Sequence, residues 1–133
     1  MDLSTLRLEF GEDDRVELAG VRKDGTRVGI AGMSDGTVDQ LYLALRVAAV
    51  EDYLDHAAPL PFIADDLFIN FDEKRAAAGL RVLNELANKT QVLFFTHHEH
   101  LLSVAERAIG TSVSVARLPS APAALAPPQT EAA

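Results

Sequence analysis

The sequence predicts an α/β domain: a mostly parallel core sheet flanked by helices, with a small antiparallel part at the N-terminus. Three observations carry this reading. Two short apolar runs, Phe62-Ile63-Ala64 and Gln91-Val92-Leu93-Phe94-Phe95, each end in residues that can do chemistry, as fully buried parallel strands do at their C-terminal tips. Segments of helical period lie beside them, from Ser34 to about Asp55 and from Glu73 to about Asn88. Short alternating segments separated by turn residues precede them all. At 133 residues the chain is at most one domain, with room for a real core.

In order, Leu6-Arg7-Leu8-Glu9-Phe10 and Arg15-Val16-Glu17-Leu18 alternate, and Arg27-Val28-Gly29-Ile30 resumes the extended character. Gly11-Glu12-Asp13-Asp14 and Lys23-Asp24-Gly25-Thr26 are turn chemistry between them, so an antiparallel meander is the simplest arrangement. Gly20 to Thr26 imitates the glycine spacing of a phosphate-binding P-loop. Thr26 stands where its lysine belongs, Arg27 where Ser or Thr belongs, and no long helical pattern follows. The chain therefore has no Walker A motif.

Ser34 is a good N-cap for the helix that follows, whose Val38, Leu41, Tyr42, Leu45, Ala48 and Ala49 form an apolar stripe. Gly36 permits close approach of another backbone, and a serine hydroxyl with free amides at a helix start can hold an anion. An ordinary capped helix explains the same residues. His56-Ala57-Ala58-Pro59 breaks that helix. Asp65 and Asp66 close the first apolar run; carboxylates are costly in a core, so both are expected to face a cleft at the strand tip. One such acid can hold Mg²⁺ and the next can orient a water, although an acidic loop after a core strand is the plainer alternative.

Asp72 N-caps the helix Glu73 to about Asn88, which carries Ala76, Leu80, Leu83 and Ala87 on its apolar face. The second run ends in Thr96-His97-His98. His97-His98-Glu99-His100 is a poor metal set, since neighbouring residues rarely converge on one ion and the spacing is not His-Glu-x-x-His. His98 and His100 are expected to be solvated or to cap a helix from Glu99 to Ile109, closed by Gly110. Ser112-Val113-Ser114-Val115-Ala116 alternates as a last strand. Residues 119–133, Pro and Ala without period, are expected to be a disordered, dispensable tail after a domain spanning 1–118.

Met33-Ser34-Asp35-Gly36-Thr37-Val38-Asp39-Gln40, then Leu60 to Asp72 with Asp65-Asp66-Leu67-Phe68, then Phe95-Thr96-His97-His98 form an ordered set. It resembles the C-terminal lobe of an ABC-type ATPase head: signature motif at 33–40, Walker B and D-loop at 60–72, switch histidine at 97. The wording is closest to the YhaN-like branch, relatives of the SMC and SbcC ATPases, over roughly residues 30 to 108. The resemblance implies ATP and Mg²⁺ as cofactors. It implies that Asp65 holds Mg²⁺ and that Asp66 acts on the attacking water. His97 would bond the γ-phosphate. Ser34, Gly36 and Thr37 would touch the γ-phosphate of ATP held by an opposing head, and Asp72 would contact that facing subunit. Two positions depart from the usual pattern. Asp35 stands where many relatives carry glycine, and Asp66 where most have glutamate, one methylene longer.

In that family the Walker A lobe lies at the N-terminus beyond a long coiled coil and folds together with the C-terminal lobe. The expected partners are therefore a Walker A-containing lobe or subunit and, with ATP, a second head. The resemblance implies ATP hydrolysis only after such completion, in a DNA-maintenance or repair machine. A net charge of −8 argues against strong DNA binding by this chain itself. Zero cysteines exclude disulfides and fit a cytoplasmic protein, and no apolar run approaches the roughly eighteen residues of a membrane span. A non-catalytic adaptor lobe and a self-contained metal phosphohydrolase using Asp65, Asp66 and His97 are the alternatives. Whether the chain is a split gene product, a truncation or an excised segment is open at this point.

Overall fold

The computed structural model describes residues 3–10 and 13–119. Its N-terminal part is the expected antiparallel meander, β1 (Leu3–Phe10), β2 (Val16–Arg22) and β3 (Arg27–Gly29), in the order β1-β2-β3. Leu6 faces Gly20 and Phe10 faces Val16 in the first pair; Ala19 faces Gly29 and Val21 faces Arg27 in the second. Gly11 and Glu12 of the first expected turn lie outside the described residues. The P-loop look-alike is the second hairpin. Arg22 N–H donates to the Thr26 carbonyl at 2.9 Å and Thr26 N–H to Asp24 Oδ1 at 2.9 Å. Gly25 supplies the positive φ of 84° that the turn needs.

A short 3-10 turn, Ile30–Gly32, leads into α1 (Asp35–Leu54). The buried residues of α1 are Gly36, Leu41, Leu43 and Val47. This corrects the expected stripe: Tyr42 and Leu45 on it are 45% and 39% exposed. Leu41 of that stripe is fully buried, and the helix's contacts with the main core come from Leu43 and Val47, which lie off it.

Next come β4 (Phe62–Asp65), α2 (Glu73–Leu86), β5 (Val92–Phe95) and α3 (His100–Ile109). β4 and β5 form a parallel ladder, Phe62 opposite Val92 through Asp65 opposite Phe95. One core unites Leu43 and Val47 of α1, Leu80 and Leu83 of α2, Leu101 and Val104 of α3, and Phe68. Phe62, Val92 and Phe94 pack against it from the sheet. Phe68 lies 5.0 Å from Phe94 ring to ring, over Gly79, where a Cβ would come within 2.7 Å of that ring.

The alternate residues point the other way. Ile63 is 64% exposed, Phe95 41% and Leu93 37%. The strands expected to be buried on both faces are thus buried on one, because the described residues supply helices to a single face. Gly110, with φ 59°, ends α3. The expected strand over Ser112–Ala116 does not form: a 3-10 turn, Gly110–Ser112, is followed by unpaired chain to Pro119. The tail from residue 120 to 133 lies outside the described residues. No helix among the described residues is long and apolar enough to cross a membrane.

Candidate functional site

Parallel pairing in register puts the ends of β4 and β5 side by side, and with them Asp65, Asp66, Thr96 and His97. Asp65 is the last residue of β4 and is exposed. The next residue turns sharply. Asp66 has φ 45°, in the left-handed region, and its N–H is held by the Phe95 carbonyl at 2.9 Å. A non-glycine residue there carries roughly 1–2 kcal/mol of backbone strain, least for Asp and Asn. That conformation suits aspartate better than glutamate, which is a local reason for the shorter acid at this position.

The turn aims the Asp66 carboxylate at the end of β5. Thr96 Oγ1 donates to Asp66 Oδ1 at 2.9 Å, and His97 Nδ1 lies 2.6 Å from Asp66 Oδ2. The His98 N–H donates in turn to Thr96 Oγ1 at 3.1 Å, which fixes the hydroxyl so that its proton points to the acid. Partial burial pushes the Asp66 carboxyl up. The hydrogen bonds from Thr96 and His97 and the charge of His97 outweigh it, holding the group below the ordinary carboxylate value. Asp66 is therefore ionised at neutral pH and a weak base, better at orienting a water than at removing its proton early. With Nδ1 committed to Asp66, Nε2 of the imidazole is left for a ligand, and the side chain of His97 is 71% exposed.

His98 departs from expectation. Its ring lies tilted by 37° against His97 at 3.9 Å between centroids, half-buried, with a buried Nε2 that has no partner among the described residues. Asp66, His97 and His98 each offer a ligand atom within 4.8 Å of the others, whereas Glu99 and His100 stand outside that group. For Mg²⁺ the better donor is Asp65: a hard carboxylate oxygen at an open strand tip fits that ion, and imidazole does not.

The second cluster lies at the start of α1. Ser34 is the N-cap, yet its Oγ bonds Thr37 Oγ1 at 3.0 Å rather than a backbone amide. Gly36 is buried, and a Cβ on it would sit 2.6 Å from the Asn70 carbonyl and against the Arg75 guanidinium. The close approach that this glycine permits is of its own chain. Asn70 Nδ2 also donates to Asp39 Oδ2 at 2.8 Å, so the loop after β4 is tied to α1 at two points. Asp72 caps α2, accepting from the Arg75 N–H at 2.8 Å, and its side chain is 63% exposed. Among the described residues, Ser34 and Thr37 bond each other and neither Asp65, Asp66 nor His97. Sequence reading missed Thr96, Asn70, Asp39 and Arg75. A polar residue directly before the histidine was the available signal for Thr96; nothing local marked the others.

No family model matches the chain. It is 39% identical over 93 residues to the uncharacterized protein YhaN of Bacillus subtilis (strain 168), which is 69% of this chain and 9% of that protein. It is similar to a solved structure from work on ATP-driven dimerization and DNA-stimulated activation of SMC ATPases. The TM-score is 0.59 and the identity 18%, over 77% of this chain and 62% of that one. The chain thus spans a small part of the curated relative's length. The chain is therefore similar to YhaN in sequence and to the SMC ATPase structure in fold.

Proposed function

We propose that this chain is the C-terminal lobe of an SMC-like ATP-binding head, which hydrolyses ATP once a Walker A-containing lobe completes it. The observation that carries the reading is the junction at the strand tips. Asp66 meets Thr96 and His97 there across 30 and 31 residues, clamped 2.6 Å from His97, with Asp65 beside it at the end of β4. Asp65 would hold Mg²⁺, which when bound neutralises phosphate charge. Asp66, fixed and ionised, would orient the attacking water. His97 would present Nε2 to the terminal phosphate while Asp66 holds the ring. Ser34 and Thr37, which bond each other rather than these groups, would meet the nucleotide of a second head, with buried Gly36 shaping that helix start and exposed Asp72 lying at the shared surface. Dimerisation around ATP and a role in DNA maintenance or repair belong to this proposal.

Three variants in a completed head test it. Asp66→Asn keeps the geometry and should leave ATP binding intact while cutting turnover about 10²-fold or more and accumulating ATP-bound dimers. Asp65→Asn should weaken Mg²⁺-dependent binding as well. Ser34→Arg should spare nucleotide binding and block dimerisation. Near-normal turnover in Asp66→Asn would remove the role assignment. A second reading, a self-contained metal phosphohydrolase, is favoured by the shared ligand geometry of Asp66, His97 and His98. It requires metal-dependent hydrolysis of a simple phosphate ester by the chain alone.

A further inference from the structure

His98 has no part in the chemistry proposed above, yet it stands at the same strand tips. Its Nε2 is buried with no hydrogen-bond partner among the described residues, and a buried polar nitrogen without a partner is costly. The backbone that carries it is fixed, its N–H bound to Thr96 Oγ1 at 3.1 Å. Asp66, His97 and His98 each offer one ligand atom, all within 4.8 Å of one another. Tetrahedral zinc, with bonds of about 2.0–2.1 Å, sets its ligands roughly 3.4 Å apart, so small side-chain rotations bring these three onto one ion. Thr96 holds Asp66 Oδ1 at 2.9 Å, which leaves Oδ2, 2.6 Å from His97 Nδ1, to turn to a cation. A hydrogen bond on the far oxygen is how ligating carboxylates are oriented. The His97 side chain is exposed, so it can swing aside to admit the ion.

We propose that Asp66, His97 and His98 form a site for a transition-metal ion of the zinc class, and that the bound ion silences the strand-tip junction. One carboxylate and two imidazoles suit zinc, whereas Mg²⁺ demands oxygen ligands. Asp65, the donor suited to Mg²⁺, stands outside the group although it is the neighbouring residue. The run His97-His98-Glu99-His100 remains a poor metal set by itself. The third ligand comes from the other strand, 31 residues before His97, and Glu99 and His100 are left out. With zinc on Asp66 and His97, the acid could no longer orient a water and the imidazole could no longer meet a terminal phosphate. That silencing rests on the head reading under Proposed function; the metal site stands on the ligand geometry alone. It also opposes the phosphohydrolase reading, in which an ion on the same residues would promote hydrolysis.

Calorimetric titration of the full chain, purified without a polyhistidine tag, with zinc chloride tests the site. One ion per chain should bind with a constant of about 1–10 μM, and Mg²⁺ at about 5 mM should not compete. His98→Ala, which keeps the backbone N–H on Thr96, and Asp66→Asn should each weaken binding about tenfold or more. His98→Phe, which keeps the bulk of the ring, should do the same and guards against a loss through misfolding. His100→Ala and Asp65→Asn, outside the group, should stay within about twofold. Equal losses at His98 and His100, or no binding tighter than about 100 μM, overturns the site. In a head completed by a Walker A-containing lobe, free zinc at about ten times its constant should cut Mg²⁺·ATP turnover about tenfold. His98→Phe should turn over normally there and resist zinc. Inhibition that survives in His98→Phe overturns the silencing, as does zinc-dependent hydrolysis of a phosphate ester by the chain alone. A completed head without turnover even before zinc is added removes the head reading and the silencing with it, while the titration still decides the metal site.

Discussion

The two faces of the β4–β5 sheet have nearly the same composition and opposite fates. Phe62, Ala64, Val92 and Phe94 are covered by the helices, whereas Ile63, Leu93 and Phe95 on the alternate positions are open. The difference teaches that these strands are built for a layer on each side and that the described residues furnish one. α1 repeats the pattern: Leu43 and Val47 reach the core while Tyr42, Leu45 and Tyr53 stay exposed. Exposed apolar faces of this kind mark surfaces meant for covering.

Substitutions on the two faces should separate accordingly. Leu83→Ala, under the covered face and 3% exposed, should cost about 2–5 kcal/mol by chemical denaturation of the chain alone. Ile63→Ser, on the open face, should change stability by no more than about 0.5 kcal/mol in the chain alone. It should become costly only once the completing lobe is bound. Equal losses at both positions in the isolated chain would mean that the open face is already packed.

Gly36→Ala comes next in size. Its Cβ would press on the Asn70 carbonyl, which is backbone and cannot swing aside, so a loss of roughly 1–3 kcal/mol is expected. A thermal melt alongside Asn70→Ala checks this. If Gly36→Ala is neutral, the loop after β4 is not pinned to α1 as described.

The smallest effect is a pH dependence at the covered face's edge. The Asp66 carboxyl lies below the ordinary value of 3.8 in the folded chain. Its hydrogen bonds therefore stabilise fully above about pH 4, and that contribution is lost as pH falls through the folded value. The stability difference between the wild type and Asp66→Asn, which tolerates the same positive φ, should shrink below about pH 4. A difference that grows with acid would contradict the low value.

Much of this was legible in the residues. The meander followed from Asp24-Gly25, α2 from its apolar spacing and the Asp72 cap, and the meeting of Asp66 and His97 from two apolar runs with chemistry at their ends. Three things were not. The φ of 45° at Asp66 is set by the bond to Phe95 across the ladder, and such contacts leave no local mark. The tie from Asn70 to Asp39 joins positions 31 apart. The uncovered faces escaped notice because an apolar run reads the same whether its second layer comes from its own chain or from another.

The central proposal is that the chain's chemistry waits on a second lobe, and turnover of Mg²⁺·ATP by the purified full chain, without and with a Walker A-containing lobe, tests it most directly. The chain carries no phosphate-cradling loop, so alone it should neither bind ATP with micromolar affinity nor hydrolyse it. With the lobe, hydrolysis should appear, and Asp66→Asn should reduce it about 10²-fold or more. Hydrolysis by the chain alone that the lobe does not enhance and Asp66→Asn does not reduce would contradict the account.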